Sequence, residues 1–364
     1  MKKKVAIQTL KLYTNYGGIL QAYALQYILS KQGYDVVHLN RFNRTVSPKA
    51  TLKLFIHKLL NPQLHSSIIK ANRIFSPFIE RYINYSEPLY NFDEWRNYVE
   101  QHNFDAVIVG SDQVWRIDYV KAFVNENFLN FYKHNTKKIS YAASFGNDKM
   151  DEDYVSFIKD KLADFDAISV REKSGLELIK NNFDIIAEHL IDPTLLLDKE
   201  AYVKIFSLKK TSNRPFVLSY VLDKNDKKLS ITNLVKEKKN LGVKFVYGTE
   251  ITKGNFRDKD IGSKVSVETW LEYFYNAEYV VTDSFHGMVF SIIFNKPFLV
   301  IANKQRGVSR FVSLLEQLGM SNRLIFENIS FDDISLDQNL DYEEINRKVA
   351  LERERAINYL HKNI

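Results

Sequence analysis

The sequence predicts an α/β protein of two domains, each built on a parallel sheet with crossover helices. At 364 residues the chain exceeds the size at which a single hydrophobic core usually stops growing, so two cores are expected. Short apolar, β-branched runs recur at spacings that leave room for a helix between them, which is typical of a wound parallel sheet. The chain is 45% apolar and 26% charged, as in ordinary globular proteins.

About six strands are predicted in the first half. The first, over 5–9, is followed by a glycine turn, a helix over 19–30 and a second strand over 35–39, which together form one βαβ unit. Residues 50–100 are rich in aromatic residues and mostly helical in pattern. The remaining strands of this half are predicted at 105–109, 139–143, 167–170 and 189–191.

A basic, polar stretch over 198–215 is predicted to link the halves. The second half has predicted strands at 216–222, 243–247, 279–282 and 298–301, with helices at 226–239, 266–276 and 284–295. The architecture is therefore two Rossmann-like domains facing each other across a central cleft, over residues 1–205 and 206–340. Apolar residues in 341–364 keep a helical period and predict a final amphipathic helix, which in such architectures often returns to the first domain.

Composition excludes several classes of protein and site. The chain has no cysteine, which excludes disulfides, thiolate zinc sites and cysteine nucleophiles, and is compatible with the expected cytoplasmic location. The basic start resembles a signal peptide, but Gln8, Thr9 and Lys11 interrupt its apolar run, so a first strand is predicted instead. No window of about 18 apolar residues exists, so no transmembrane segment is expected and only peripheral membrane contact stays open.

The net charge of +7 favours an anionic partner, which could be nucleic acid, a membrane surface or a small phosphorylated substrate. The sequence contains no recognisable nucleic-acid-binding motif, and no basic run beyond Lys2–Lys4. We therefore expect no nucleic-acid partner.

The residues after each strand are the first candidates for a site, because ligands of open α/β sheets bind beyond the carboxyl ends of the strands. Asn15, Gly17 and Gly18 follow the first strand, where glycines permit close backbone approach and a helix N-terminus offers N–H groups to an anion. The alternative is a simple tight turn. The motif is not G-x-G-x-x-G and no acidic residue is placed to bind a ribose, so no nicotinamide cofactor is expected.

Two further clusters follow strands of the first half. Ser111, Asp112 and Trp115 come after the 105–109 strand, and the indole suits stacking on a sugar; the alternative is a helix cap with the indole in the core. Arg171 leaves the 167–170 strand and offers bidentate geometry to a carboxylate or phosphate. Its alternative is a surface ion pair, for example with Glu172.

The most informative cluster follows the 279–282 strand. Ser284 is predicted to cap a helix whose first turn holds His286, and Gly287 beside it is expected to leave room for a ligand. A catalytic histidine is one interpretation, and a packed or capping histidine is the other. Three cations follow the next strand, where they form either an anion site or a solvated loop: Lys304, Arg306 and Arg310.

Six segments that occur in order resemble one family. They are NYGGILQA (15–22), VGSDQVW (109–115), SYAASFG (140–146), SVRE (169–172), IDPT (191–194) and TDSFHG (282–287). Together they resemble the polysaccharide pyruvyl transferases, from residue 5 to about residue 320. The resemblance implies a fold similar to GT-B glycosyltransferases, with the active site between the halves. It also implies phosphoenolpyruvate as donor, whose pyruvyl group becomes a ketal on a sugar of a surface polysaccharide or of a precursor such as a lipid-linked oligosaccharide, without a cofactor or metal.

The resemblance also implies roles for residues. His286 would be the catalytic acid and Arg171 a donor-binding cation, with Ser284 beside them. Some members have Arg-Leu-His where this chain has Ser284-Phe285-His286, so one donor-binding cation is missing. Lys304, Arg306 and Arg310 are its candidate replacements. The expected cleft or acceptor residues are Asn15, Gly17, Gly18, Ser111, Asp112 and Trp115.

Ketal transfer requires protonation of the donor at C3, attack on C2 by one hydroxyl, loss of phosphate and ring closure by a second hydroxyl. We expect the donor's anions to keep His286 protonated, as a general acid must be. Two alternatives remain open. One is a glycosyltransferase that uses a nucleotide sugar in the same cleft, and the other is a non-catalytic relative that binds sugar or phosphate.

Overall fold

The computed structural model of the chain describes residues 2–42, 58–120, 123–132, 135–211, 214–259, 264–302, 307–336 and 340–364. Within these residues the strands form two parallel sheets, of six and five strands. The first sheet consists of β1 (Lys4–Gln8), β2 (Asp35–His38), β3 (Ala106–Asp112), β4 (Lys137–Ala143), β5 (Ser169–Val170) and β6 (Glu188–His189). The second consists of β7 (Phe216–Val221), β8 (Gly242–Tyr247), β9 (Tyr279–Thr282), β10 (Phe298–Ile301) and β11 (Leu324–Ile325).

Helices cover both faces of each sheet, so the central strands are apolar along almost their whole length. In β1, for example, Val5, Ala6 and Ile7 are all buried. The helices are α1 (Tyr16–Lys31), α2 (Pro62–Tyr82), α3 (Phe92–Gln101), α4 (Ile117–Val120), α5 (Val124–Asn127), α6 (Glu152–Ala163), α7 (Lys173–Asn182), α8 (Lys199–Phe206), α9 (Asp226–Lys238), α10 (Val267–Asn276), α11 (Phe285–Ile293), α12 (Ser309–Leu318) and α13 (Tyr342–Asn363). Short 3₁₀ helices lie at Pro193–Leu196, Ser321–Arg323 and Phe331–Asp333.

The strand order reverses once in each sheet. The first sheet runs β2-β1-β3-β4-β5-β6, and the second runs β11-β10-β9-β7-β8. Chain connections therefore leave in opposite directions from β1 and β3, and again from β7 and β9. Crevices at the carboxyl ends of such strand pairs are where doubly wound sheets bind ligands. The fold is thus α/β, with two Rossmann-like domains in a GT-B-like arrangement, as the sequence predicts.

The predicted linker over 198–215 is wrong in its first part, because α8 occupies Lys199–Phe206. The Asp198 side chain caps this helix by accepting from the Ala201 N–H, and Tyr202 and Phe206 are buried. The sequence pattern did not predict this helix, because only two of its eight residues are buried. Residues 212 and 213 lie outside the described part of the chain.

The final helix α13 packs on elements of the first half of the chain. The Tyr359 hydroxyl donates to the Ser140 carbonyl over 2.9 Å, inside β4. Arg353 Nε donates to the Leu195 carbonyl over 2.9 Å. The domain limits at residues 205 and 340 stay predictions. In the described residues, no helix combines the length and apolarity needed to cross a bilayer.

Candidate active site

A cleft of about 700 Å³ lies where the carboxyl ends of the two sheets meet. Its walls include the segments that follow β1, β3, β7 and β9, the four strands beside the reversals of strand order, together with residues that follow β2, β8 and β10. Residues from both domains therefore face one space, which only the packing of the two sheets brings together. Its lining includes Asn15, Gly18, Asp112, Ser284, His286 and Arg310.

His286 lies in the first turn of α11, on the wall of this cleft. Ser284 caps the helix: its hydroxyl accepts from the Gly287 N–H at 3.3 Å. Every residue of α11 is buried, and His286 itself is only 6% exposed. The buried helix therefore holds the His286 imidazole at the wall of the cleft.

Gly287 does not leave room for a ligand, so that prediction is wrong. A Cβ atom at this position would lie 2.2 Å from Thr282 Oγ1 and 3.0 Å from the Tyr220 ring. The space is filled by protein because α11 returns directly over β9 and β7. Glycine is needed here for packing of the helix on the sheet.

Gly17 gives the imidazole its space instead. A Cβ at Gly17, in the first turn of α1, would lie 2.0 Å from Nδ1 of His286. The other ring nitrogen, Nε2, is buried and faces Asp192. Nδ1 is therefore the nitrogen left to meet a substrate, and a side chain at position 17 would occupy the space in front of it.

Asp192 lies behind His286 and was not among the predicted site residues. Its Oδ2 lies 3.5 Å from Nε2 of His286 and accepts from Arg171 Nη1 at 2.8 Å and from the Ser111 hydroxyl at 3.1 Å. Its Oδ1 accepts from the N–H and hydroxyl of Thr194 at 3.0 and 2.7 Å. Burial by itself raises the pKa of the Asp192 carboxyl, but His286, Arg171 and Thr194 hold that pKa well below its usual range.

A carboxylate held against one nitrogen of a histidine fixes the ring and stabilises its protonated form. Besides facing His286, the Asp192 carboxylate accepts hydrogen bonds from Arg171 and Ser111 on Oδ2 and from Thr194 on Oδ1. His286 can therefore serve as a proton donor, with the Asp192 carboxylate facing its Nε2. The sequence did point to Asp192 in one respect: it lies in the IDPT segment (191–194), one of the six segments that resemble the family, although no role was predicted for it.

Arg171 does not line the cleft, which corrects its predicted role as a donor-binding cation. Its side chain is 1% exposed and lies between Asp192 and Asp112, with Nη2 3.6 Å from Asp112 Oδ1. The guanidinium also lies 4.6 Å from the centre of the Phe285 ring. Two carboxylates neutralise its charge, so Arg171 positions Asp192 and leaves little charge for a substrate.

The predicted cleft residues separate into two groups. Asn15, Gly18 and Asp112 line the cleft; the Asn15 side chain caps α1 by accepting from the Gly18 N–H at 3.2 Å. Ser111 and Gly17 do not line the cleft, which corrects their prediction: Ser111 is buried behind the wall, where it donates to Asp192, and Gly17 is buried against the His286 ring.

Trp115 is not a cleft residue, which corrects the prediction that it stacks on a sugar. It is fully buried and stacks on Phe128 with 5.7 Å between ring centres. Its Nε1 donates to the Asn127 carbonyl over 3.1 Å. The indole satisfies both its apolar ring and its N–H inside the core, so it presents nothing to a ligand.

Among the described residues of the second domain, Arg310 is the cation that lines the cleft. It belongs to the first turn of α12, and its guanidinium lies 5.5 Å from the centre of the Phe285 ring, on which Arg171 also packs. Burial raises the pKa of the Glu172 carboxyl, and the charges of Arg171 and Arg310 oppose this rise. Lys304 and Arg306 lie outside the described residues.

Lys11 is a cation on the facing wall. Its Nζ lies 4.2 Å from the centre of the Tyr13 ring and 3.9 Å from that of Phe42. Tyr13 is 50% exposed, so this wall offers an aromatic surface and a positive charge together. Among the residues described, no cluster of three or more histidine or acidic side chains could hold a metal ion.

A buried ion pair joins the loops that carry this wall of the second domain. Asp283 accepts from the N–H groups of Leu222 and Asp223 and from Lys228 Nζ, the last at 2.8 Å. Burial raises the pKa of the Asp283 carboxyl, although Lys228 opposes this effect. The loop after β7 is thereby tied to the residue that precedes the Ser284 cap.

Comparison with known proteins identifies the family to which these residues belong. The model of the polysaccharide pyruvyl transferase family matches residues 15–305. The chain belongs to the polysaccharide pyruvyl transferase family. The matched range includes Asn15, Asp192 and His286 of this pyruvyl transferase relative, whereas Lys11, Tyr13 and Arg310 lie outside it. No functionally curated protein shows significant sequence similarity to it.

Solved structures similar to this family member share its fold at low identity. UDP-GlcNAc 2-epimerase of Methanocaldococcus jannaschii, in complex with UDP-GlcNAc and UDP, matches with a TM-score of 0.50 and 15% identity, covering 96% of this chain and 99% of that one. A mutant of S. aureus TarM in complex with UDP matches with a TM-score of 0.50 and 13% identity, covering 99% and 96%. These likenesses concern the fold alone.

Proposed function

We propose that this family member transfers the pyruvyl group of phosphoenolpyruvate to two hydroxyls of a sugar in a surface polysaccharide or its precursor. The product is a cyclic ketal, and inorganic phosphate is released. The observation that carries the proposal is the His286–Asp192 pair, at 3.5 Å, on the wall of a cleft formed by both domains. A supported imidazolium is the proton donor that an enol phosphate needs.

The donor carries a phosphate and a carboxylate, and the second domain offers groups for both. Arg310 supplies a cation in the cleft, and we propose it as the replacement for the arginine that some members have before the histidine. The N-terminus of α11, which Ser284 caps, adds a positive dipole end on the same side of the cleft. The Ser284 hydroxyl accepts from Gly287 and keeps its own hydrogen for a donor oxygen. Lys304 and Arg306 stay proposed donor contacts.

The reaction balances with one acid and one leaving group. His286 gives its proton to C3 of the donor, so that C2 becomes an oxocarbenium carbon. A first sugar hydroxyl bonds to C2 and returns its proton to the neutral imidazole. The C2–O bond to phosphate then breaks, with the electron pair leaving on phosphate. The second hydroxyl closes the ring on C2, and its proton leaves with phosphate, so that no redox cofactor or metal is required.

The acceptor is proposed to lie along the wall of the first domain. Asn15, Gly18 and Asp112 offer polar groups there, and the Tyr13 ring above Lys11 offers a flat apolar face. Sugars bind to such surfaces through hydrogen bonds at their edges and ring contacts at their faces. A sugar or a lipid-linked oligosaccharide fits this description.

The test uses purified protein with phosphoenolpyruvate and, in parallel, nucleotide sugars. Calorimetry measures which ligand binds, and release of phosphate or nucleotide in the presence of a polysaccharide precursor measures turnover. We expect phosphoenolpyruvate to bind and phosphate to be released. Binding and turnover of a nucleotide sugar alone would instead indicate a glycosyltransferase. Binding without any turnover of a competent acceptor would indicate a non-catalytic relative.

His286→Gln connects this activity to the proposed acid. We expect turnover to fall by about 100- to 10,000-fold with donor affinity largely kept, because a general acid acts in the transition state. His361→Gln, at an exposed position on α13, is the matched control and should keep full activity. Equal activity of both variants would remove His286 from the mechanism.

A further inference from the structure

The N-terminal half of α2 and the helical stretch just before it present apolar side chains to solvent. Leu59, Leu60 and Ile69 are 64%, 74% and 51% exposed. The opposite side of the same helix is buried through Leu64 and Phe75, so these exposed residues are not part of the core. Large apolar side chains grouped at a surface usually mark a site of contact with another surface.

Positive charge is concentrated in the same region. Residues 58–82 contain four lysines and arginines and a single glutamate. Lys58, Lys70 and Arg73 are exposed beside the apolar side chains. Basic residues next to exposed leucine and isoleucine are typical of helices that lie in the interface of an anionic membrane. A nucleic-acid surface would account for the cations but not for the leucines.

The position of this surface relates it to the cleft. Phe75 packs on Tyr16 at 4.7 Å and Phe78 packs on Tyr23 at 6.1 Å, so α2 runs in the same direction as α1. Pro62 begins α2 thirteen residues before Phe75, which at the helical rise per residue is about 20 Å beyond the start of α1. Because α1 begins at the cleft and α2 runs parallel to it, the exposed half of α2 extends past the end of α1 that meets the cleft.

We propose that the exposed face of residues 58–73 docks on an anionic lipid bilayer. Leu59, Leu60 and Ile69 enter the headgroup region, and the three cations face the lipid phosphates. Docking brings the mouth of the cleft to the membrane surface, where a lipid-linked acceptor presents its sugar. The docking itself does not depend on the donor or the reaction. Only the inference that docking brings the cleft to a lipid-linked acceptor rests on the proposed function.

The test is co-sedimentation of the whole chain with vesicles, without donor or acceptor. One set is phosphatidylcholine alone, and the other contains about one third phosphatidylglycerol. We expect the protein to sediment with the anionic vesicles and to be released by salt. Lys58→Gln/Lys70→Gln/Arg73→Gln should lower the partition coefficient on the order of 100-fold, about fivefold for each cation. Leu59→Ser/Leu60→Ser/Ile69→Ser should also lower it at least tenfold.

The matched control is Lys159→Gln/Lys180→Gln/Lys238→Gln, which removes the same charge from α6, α7 and α9. These helices pack on the other faces of the two sheets, away from the core cluster that holds Phe75. The control should bind vesicles nearly as the parent does, and all variants should melt at the parent temperature.

Three results would overturn the proposal. The first is an equal loss of vesicle binding in the control and in the cation variant. The second is absence of vesicle binding combined with a dimer that the leucine variant dissociates, which would assign the surface to a second copy. The third is tight binding of duplex DNA that the leucine variant leaves unchanged. If the protein did not turn over phosphoenolpyruvate, the proposed function would fail, but the vesicle-binding result would still decide the docking proposal.

Discussion

Replacement of Gly17 by alanine separates the catalytic use of the imidazole from the stability of the fold. The added methyl would lie 2.0 Å from Nδ1 of His286, about 1.4 Å short of the 3.4 Å at which ordinary van der Waals contact begins. His286 has little freedom to move, because α11 is buried along its whole length. Either the ring or the start of α1 must shift, and the methyl also fills the space before Nδ1.

The expected loss of turnover follows from that distance. A misplacement of about 1 Å at a catalytic group can cost about 100-fold in rate, so we expect kcat of Gly17→Ala to fall by about 100-fold or more. The clash should also cost about 1 to 3 kcal/mol of stability through overpacking, and the preference for alanine over glycine in a helix offsets about 1 kcal/mol of that cost. A large loss of activity without an equal loss of stability is therefore the expected signature.

Gly18→Ala is the matched control, one residue further along the same helical turn. Its added methyl would meet Asn15 Cγ at 3.3 Å, a contact that a small shift of one side chain relieves. Phosphate release, donor affinity and melting temperature should be measured for both variants, together with the ring ¹⁵N signals of His286. If Gly17→Ala kept kcat within twofold of Gly18→Ala, and the ring signals did not move, the assignment of Nδ1 as the reacting nitrogen would be wrong.

Three further predictions address the support, the donor site and the pH response. Asp192→Asn keeps the shape of the side chain but removes the charge behind His286; we expect a large fall in kcat and a loss of about 3 to 5 kcal/mol in unfolding free energy, because Arg171 loses a buried partner, as urea titration can measure. Arg310→Gln should weaken phosphoenolpyruvate binding by about 2 to 5 kcal/mol in calorimetry with no change in fold, and unchanged affinity would exclude it as a donor contact. Burial lowers the pKa of His38 to about 4 from 6.5, so the unfolded chain takes up this proton first as the pH falls. Stability should therefore decline between these values by about 3 kcal/mol on account of His38, and His38→Gln should remove that part of the slope.

The sequence by itself determined much of the fold. All ten predicted strands and the helix over 284–295 agree with the structure to within about three residues, because buried parallel strands are continuous apolar runs and helices keep their period. The ordered segments identified the family, which the family model confirms for residues 15–305. The position of His286 in the first turn after β9 also followed from a local pattern, a strand, a cap and a helix.

Only the tertiary structure decided what those residues contact. Arg171 was predicted to bind the donor or to form a surface ion pair, but it pairs with the buried Asp192, 21 positions away. Trp115 was predicted either to stack on a sugar or to lie in the core, and it lies in the core. Gly287 was expected to leave room for a ligand, but Thr282 and Tyr220 fill that space; Gly17 is the glycine that leaves space for the His286 ring. In both cases the neighbouring atoms belong to other elements of the fold. Local pattern fixes the strands and helices because their hydrogen bonds and burial repeat along the chain. Charge pairing and free space are properties of neighbours brought together by the packing of two sheets, and no local pattern records them.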